Sequence, residues 1–132
     1  MRPIITDTVV LPAAAEKLFE MYLDPIQHAG FTGKPVTIGA DYGASFEAFD
    51  GVLTGRMIKV VQPRLIVQSW RSALFHDEDP DSTLILTFTP EQDEGRIDIV
   101  HLDVPAHDYD DVAVGWKKYY WDPWREYLKR AH

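Results

Sequence analysis

Three groups of residues have the types and spacing to do chemistry. His101, Asp103, His107 and Asp108 fall close together, and imidazoles and carboxylates at short range can bind a metal or move a proton. Their spacing matches no standard metal site, and a loop with acidic residues is commonly just solvated. Asp77, Asp79 and Asp81 mimic the start of a calcium loop. Pro80 interrupts it, Ser82 stands where the required glycine belongs, and no terminal glutamate follows at the right spacing. The stretch His76 to Asp81 therefore reads as an exposed hairpin tip. Arg56 and Arg71 are strand arginines, suited either to gripping an acidic ligand or to pairing with acidic neighbours across a sheet. The pairing reading is preferred. No metal or cofactor is expected.

His101 is the most informative polar residue. Strand alternation places it inward with Ile97 and Ile99. There it could orient a ligand carbonyl or act as a base. The preferred alternative is a buried histidine hydrogen-bonded to a tyrosine or a backbone carbonyl, because no carboxylate is clearly placed to orient it. Other catalytic signatures are missing. There is no cysteine and no G-x-S-x-G, and Gly39 to Gly43 is followed by no lysine or glycine-rich helix start. The chain has 132 residues, 21 acidic and 13 basic, for a formal charge of −8, and no basic run exceeds two residues. Such a surface repels phosphate backbones, so no nucleic-acid partner is expected. No apolar run approaches the ~20 residues of a membrane span. The amino terminus lacks the apolar core of a signal peptide. The expected location is cytoplasmic.

These groups need elements to position them. Residues 3–11 mix Ile, Thr and Val and read as a first strand. Pro12 suits the first position of a helix, and Ala15, Leu18, Phe19 and Tyr22 form one apolar helical face. Asp24 and Pro25 fit the N-cap and first residue of a second short helix, with Gly30 and Gly33 at its exit. Strands are then predicted near 35–38, 44–49, 51–61, 64–75, 82–89 and 96–104, with short connections that imply antiparallel hairpins. In 64–71 both residue parities are apolar, which predicts cover on both sides or a bulge. Residues 111–130 form an aromatic helix with Val112, Trp116, Tyr119, Tyr120, Pro123, Trp124 and Tyr127 on one side. Pro123 predicts a kink or local break, worth ~3 kcal/mol against a straight helix.

That order is α+β: about six or seven antiparallel strands wrapped around a long C-terminal helix, with two short helices after the first strand. The length predicts a single domain over residues 1–132. Trp70, His101, Trp116, Tyr120, Trp124, Ile99 and Phe88 are the candidate lining of a cavity between sheet and helix, with simple core packing as the alternative. Trp121 and Leu128 fall off the helix's inward arc by about 120° and 100° when each residue turns ~100°, which predicts an exposed patch and a possible homodimer contact.

The stretch GVLTGRMIKVVQPRLIVQSWR at 51–71 resembles the central block of the activator of heat-shock protein 90 ATPase family. Gly51, Gly55, Val61, Ile66, Val67, Trp70 and Arg71 sit at its landmarks. His101 with Val104 and Pro105, and Gly115-Trp116 with Tyr119 and Tyr120 behind, continue the same series, as do FDG and LPAAAEKLFEMYLDP. The resemblance covers nearly the whole chain. It implies a START-like (Bet v 1-like) helix-grip fold whose wider superfamily binds apolar ligands between sheet and helix, with a few cyclase or hydrolase branches. The expected function is a non-enzymatic module binding a small apolar ligand. Two alternatives remain open: a stress-linked interaction domain partnering a heat-shock protein 90-type chaperone, and an enzyme using His101.

Overall fold

The computed structural model describes residues 4–130. It contains strands β1 (Ile5–Leu11), β2 (Ser45–Ala48), β3 (Leu53–Val61), β4 (Leu65–Ser72), β5 (Ser82–Glu91) and β6 (Glu94–Leu102). They form one antiparallel sheet in the order β1-β6-β5-β4-β3-β2. Helices α1 (Ala15–Leu23) and α2 (Pro25–Thr32) follow β1. The C-terminal helix begins with a 3₁₀ turn (Ala106–Asp108) and runs through α3 (Tyr109–Gly115), a π-helical segment (Trp116–Trp121) and α4 (Asp122–Arg130). This is the helix-grip arrangement expected from the sequence.

Alternation decides which sheet residues face the helices. Ile66, Gln68, Trp70 and Ser72 of β4 point inward, as do Ser82, Leu84, Leu86 and Phe88 of β5, and Ile97, Ile99 and His101 of β6. The two-faced β4 is thus half-covered on its outer parity, at Leu65 and Val67. The irregularity in this region lies on its partner. Between Met57 and Lys59 of β3 the register slips by one, so Ile58 is the extra residue of a bulge. The slip turns Lys59 outward and leaves Val60 partly covered. Gly55 is required upstream, because a Cβ there would lie 2.0 Å from the Ser69 carbonyl oxygen.

Several boundaries differ from expectation; the strand expected over 64–75 ends at Ser72, and that expected over 96–104 runs Glu94–Leu102. The predicted strand at 35–38 is only one bridge, Thr37 to Glu47. Helix α1 starts at Ala15, so Pro12 lies in the turn before it. The first predicted strand begins at Ile5, and Pro3 lies outside the described residues. The second helix is as expected. The Asp24 carboxylate accepts from the backbone N–H of Ile26 (2.9 Å) and of Gln27 (3.4 Å), Pro25 is the first residue, and Gly33 ends it at φ 85°.

The aromatic helix carries the largest correction. Pro123 has no N–H and its ring crowds the preceding turn. The chain answers with a widened π turn over Trp116–Trp121, which ends two residues before the proline. The widening rotates everything downstream relative to a uniform helical wheel. Trp121 and Leu128, expected outside, are buried at 3% and 1% exposure, while Tyr119, expected inside, is 49% exposed. The patch that suggested a homodimer is therefore part of the core. The Trp121 indole donates to Asp7 (2.9 Å), and Arg125 donates to the Val10 carbonyl (3.0 Å), seating this helix on β1. Trp124 stacks on Phe31 of α2 at 4.2 Å, rather than on a strand.

The rotated register is testable by truncation. Trp121→Ala should cost ~3–5 kcal/mol, as much as Trp116→Ala, because both are buried tryptophans. Tyr119→Ala should cost about 1 kcal/mol or less. Urea unfolding of the three variants checks this; a Trp121→Ala as stable as the parent would restore the uniform helix.

Candidate functional site

A half-open cleft of about 670 Å³ lies between the β2–β3 end of the sheet and the start of the C-terminal helix. Its apolar wall comes from Leu53 and Trp70 on the sheet, Phe49 and Val52 in the β2–β3 turn, and Val112, Trp116 and Tyr120 on the helix. The turn is built for this. Phe49 and Asp50 adopt φ 53° and 56°, and Gly51 follows at 84°, which brings Phe49 to 5.8 Å from Tyr119 and 6.1 Å from Tyr120. Tyr119, Val114, Leu74 and Val52 leave apolar surface exposed around the mouth. The polar rim is Asp108, Asp110 and Asp111 with Lys118 and Ser72. Burial, then the nearby Asp111 charge, push the Asp108 carboxyl up, while His107 pulls it back.

Of the seven candidate lining residues, the structure brings Trp70, Trp116 and Tyr120 together at the cleft. The other four lie elsewhere. Phe88 packs edge-on against Phe19 of α1 at 5.5 Å, Ile99 is a core residue of β6, and Trp124 is stacked on Phe31. His101 sits behind the wall. Its ring meets Trp70 edge-on at 4.6 Å, and its Nδ1 accepts from the Trp116 indole at 3.3 Å. The proton is then on Nε2, which donates to the Ser82 hydroxyl (3.0 Å); that hydroxyl donates to the Trp70 carbonyl. The preferred reading of a buried, satisfied histidine is correct in kind, but its partners are serine and tryptophan instead of tyrosine or backbone. Burial pulls its pKa down to about 3, so it is neutral, and no carboxylate contacts it among the described residues. Asp103 lies just past the end of β6, exposed, at φ 63°.

A second buried polar set was missed in the sequence. His28 of α2 donates from Nδ1 to the Tyr22 carbonyl (2.8 Å), leaving Nε2 to accept from the Tyr120 hydroxyl (2.9 Å). Burial lowers the His28 pKa to about 4, against the opposing effect of the Tyr22 carbonyl. The Tyr22 hydroxyl donates to Gln68. Both phenols are pushed up by burial and stay protonated. A signal existed: His28 shares the inward stripe of α2 with Phe31, and Gln68 has the inward parity of Ile66 and Trp70.

The strand arginines divide. Arg71 pairs with Asp81 (3.2 Å) and also donates to the carbonyls of Asp79 and His76, so it braces the β4–β5 loop. Arg56 donates to the Gly43 carbonyl and the Ser45 hydroxyl, with no acidic partner among the described residues. Neither lines the cleft. No helix among the described residues is long and apolar enough to cross a membrane.

Comparisons with known proteins accord with this architecture. Residues 12–129 match the family described as Activator of Hsp90 ATPase homolog 1-like protein. A mouse protein, "Activator of 90 kDa heat shock protein ATPase homolog 2", is 23% identical over 115 residues, covering 87% of this chain. The match spans 34% of that protein, about a third of its length. Among solved structures, an HSP90 activator from Plasmodium falciparum superposes with TM-score 0.81 at 19% identity, over 90% of this chain and 91% of that one. Protein MLL2253 from Mesorhizobium loti gives 0.83 at 17% identity, over 98% and 99%. CalU16 from Micromonospora echinospora gives 0.77 at 18%, over 97% and 85%.

The two buried histidines predict a pH dependence. Both are held below their ordinary 6.5, so the unfolded chain takes up protons first as pH falls. Their stabilising contribution is complete above about pH 6.5 and is lost between there and about pH 4, continuing toward pH 3 for His101. Each adds a slope of about 1.4 kcal/mol per pH unit in that window. Urea midpoints measured across it should fall less steeply in His101→Gln than in the parent.

Proposed function

The chain belongs to the Activator of Hsp90 ATPase homolog 1-like family, and we propose that it acts as one helix-grip domain, non-enzymatic, that takes a small apolar ligand into the cleft. The observation that carries this reading is the aromatic wall of Trp70, Trp116 and Tyr120 around an open space of about 670 Å³. Pockets for small molecules are commonly of this size, mostly apolar with a few polar groups. The rim selects among apolar ligands. Three aspartates face one lysine, so a neutral or amine-bearing planar molecule suits the mouth better than a fatty-acid carboxylate. An enzymatic role for His101 has less support, because a general base must reach its substrate and this imidazole is enclosed by Ser82, Trp70 and Trp116.

A second reading is favoured by a separate observation. The mouse relative and the Plasmodium structure both carry the name of a heat-shock protein 90 activator. In this reading the domain is a stress-linked interaction module, and the exposed Val114, Tyr119 and Leu74 form the contact.

Titration with 1-aminoanthracene should quench tryptophan fluorescence saturably, and a long-chain fatty acid should bind more weakly. Gly115→Leu should abolish binding without unfolding the protein. Gly115 lines the cleft, and a Cβ there meets nothing closer than Tyr119 Cδ2 at 3.5 Å. Quenching that survives Gly115→Leu would place the probe elsewhere. With no saturable binding at all, a chaperone ATPase assay with Val114→Asp becomes the deciding measurement for the second reading.

A further inference from the structure

We propose that His76, Asp79 and His107 form a binding site for a divalent transition-metal ion, of which Zn²⁺ is the representative. One ligand atom from each of the three lies within 4.8 Å of the other two. His107 Nε2 is 3.0 Å from Asp79 Oδ2, and the imidazoles of His76 and His107 stack face to face at 3.8 Å, 8° from parallel. Two imidazoles and one carboxylate are the ligand types such ions prefer, and three protein ligands leave a fourth position for water. Ligands of a tetrahedral Zn²⁺ stand ~3.3 Å apart, given metal–ligand distances of ~2.0–2.1 Å. His107 Nε2 and Asp79 Oδ2, at 3.0 Å, stand close to that spacing; the in-plane lone pairs of two parallel rings do not converge on one ion, so binding requires His76 to turn out of its stack on His107.

The site combines residues from the two stretches that failed separately as metal motifs. The β4–β5 loop supplies His76 and Asp79, and the connection from β6 to α3 supplies His107. The loop is held in shape without the ion. Arg71 donates to the carbonyls of His76 and Asp79, and the Asp79 carboxylate accepts from the His76 backbone N–H at 2.8 Å. Glu78 stands 3.9 Å from His76 Nδ1 and adds negative charge at the open side. The histidine side chains are 59% and 36% exposed, so an ion can enter from solvent. His28 and His101 cannot compete for it, because both are fully buried. A bound ion ties the β4–β5 loop to the segment bearing Asp108, at the rim of the cleft.

Equilibrium dialysis of the full chain against Zn²⁺, with Co²⁺ as a spectroscopic substitute, tests the site. The expected result is one saturable equivalent, visible d–d bands of low-coordinate Co²⁺, and a rise in Tm with Zn²⁺ concentration. His76→Gln and His107→Gln should each lower affinity at least ~10-fold, and the double variant should take up none at the same concentration. Both side chains are at the surface, so the folded parent and variants can be compared directly. Absence of a saturable equivalent in the parent overturns the proposal. Equal uptake by the double variant does so as well, because the ion is then held by other groups.

Discussion

A proline in the middle of the covering helix is the constraint on which the rest of this molecule depends. Pro123 withholds one backbone donor and crowds the turn before it. The turn widens, and the residues on either side are then set in two different registers. Upstream, Trp116 and Tyr120 reach the sheet and the cleft. Downstream, Trp121, Trp124 and Leu128 share the buried side, although on a uniform wheel Trp121 stands about 140° from Trp116. Tyr119 is turned out to the mouth of the cleft by the same adjustment. The placement of Trp116, Tyr119 and Tyr120 at the cleft is therefore tied to a proline three to seven residues further along the chain.

The second organising element is polar. A space enclosed by a curved sheet and three helices contains groups that no apolar side chain can satisfy. Here the Tyr22 carbonyl, the Tyr120 hydroxyl and the Ser82 hydroxyl are each met by a histidine or its neighbour. Buried polar groups left unpaired cost more than paired ones contribute, so such sets fix geometry more than they add stability. His101 holds Trp116 by its indole N–H, and Trp116 forms the cleft wall. His28 holds Tyr120, which forms the wall beside it. Each histidine supports the cleft from behind and touches none of its space.

Much of this arrangement is legible in the amino-acid sequence. Alternation of Leu84, Leu86 and Phe88 in 83–89, and of Ile97, Ile99 and His101 in 96–101, identifies the inward faces of β5 and β6, and Asp24-Pro25 marks the break between α1 and α2. Pro123 marked a discontinuity but not its kind, since a kink and a π turn move downstream residues in different directions. A uniform wheel therefore puts Trp121 and Leu128 outside, where the structure buries them. The cleft lining was half legible. Trp116 and Tyr120 follow from helical periodicity and Trp70 from its aromatic type, whereas Phe49 and Val52 arrive through left-handed turn residues that have no periodic signature. His76, Asp79 and His107 were legible only singly, because two loops distant in sequence must meet before their spacing exists.

The contacts that seat the C-terminal helix have one further effect. An open six-stranded sheet has two edges, and an edge strand with unpaired backbone groups is a template for association with another chain. On one side, Arg125 occupies the Val10 carbonyl and Trp121 lies against Asp7, so β1 is obstructed by the helix. On the other, β2 is four residues long, and Thr37 exchanges both backbone hydrogen bonds with Glu47 at 2.9 Å. Neither margin offers a long bare row of donors and acceptors. The fold that leaves a cleft open between sheet and helix is thus closed at its margins to strand-by-strand growth, and loosening the helix would uncover both the core and an aggregation-competent edge in the same event.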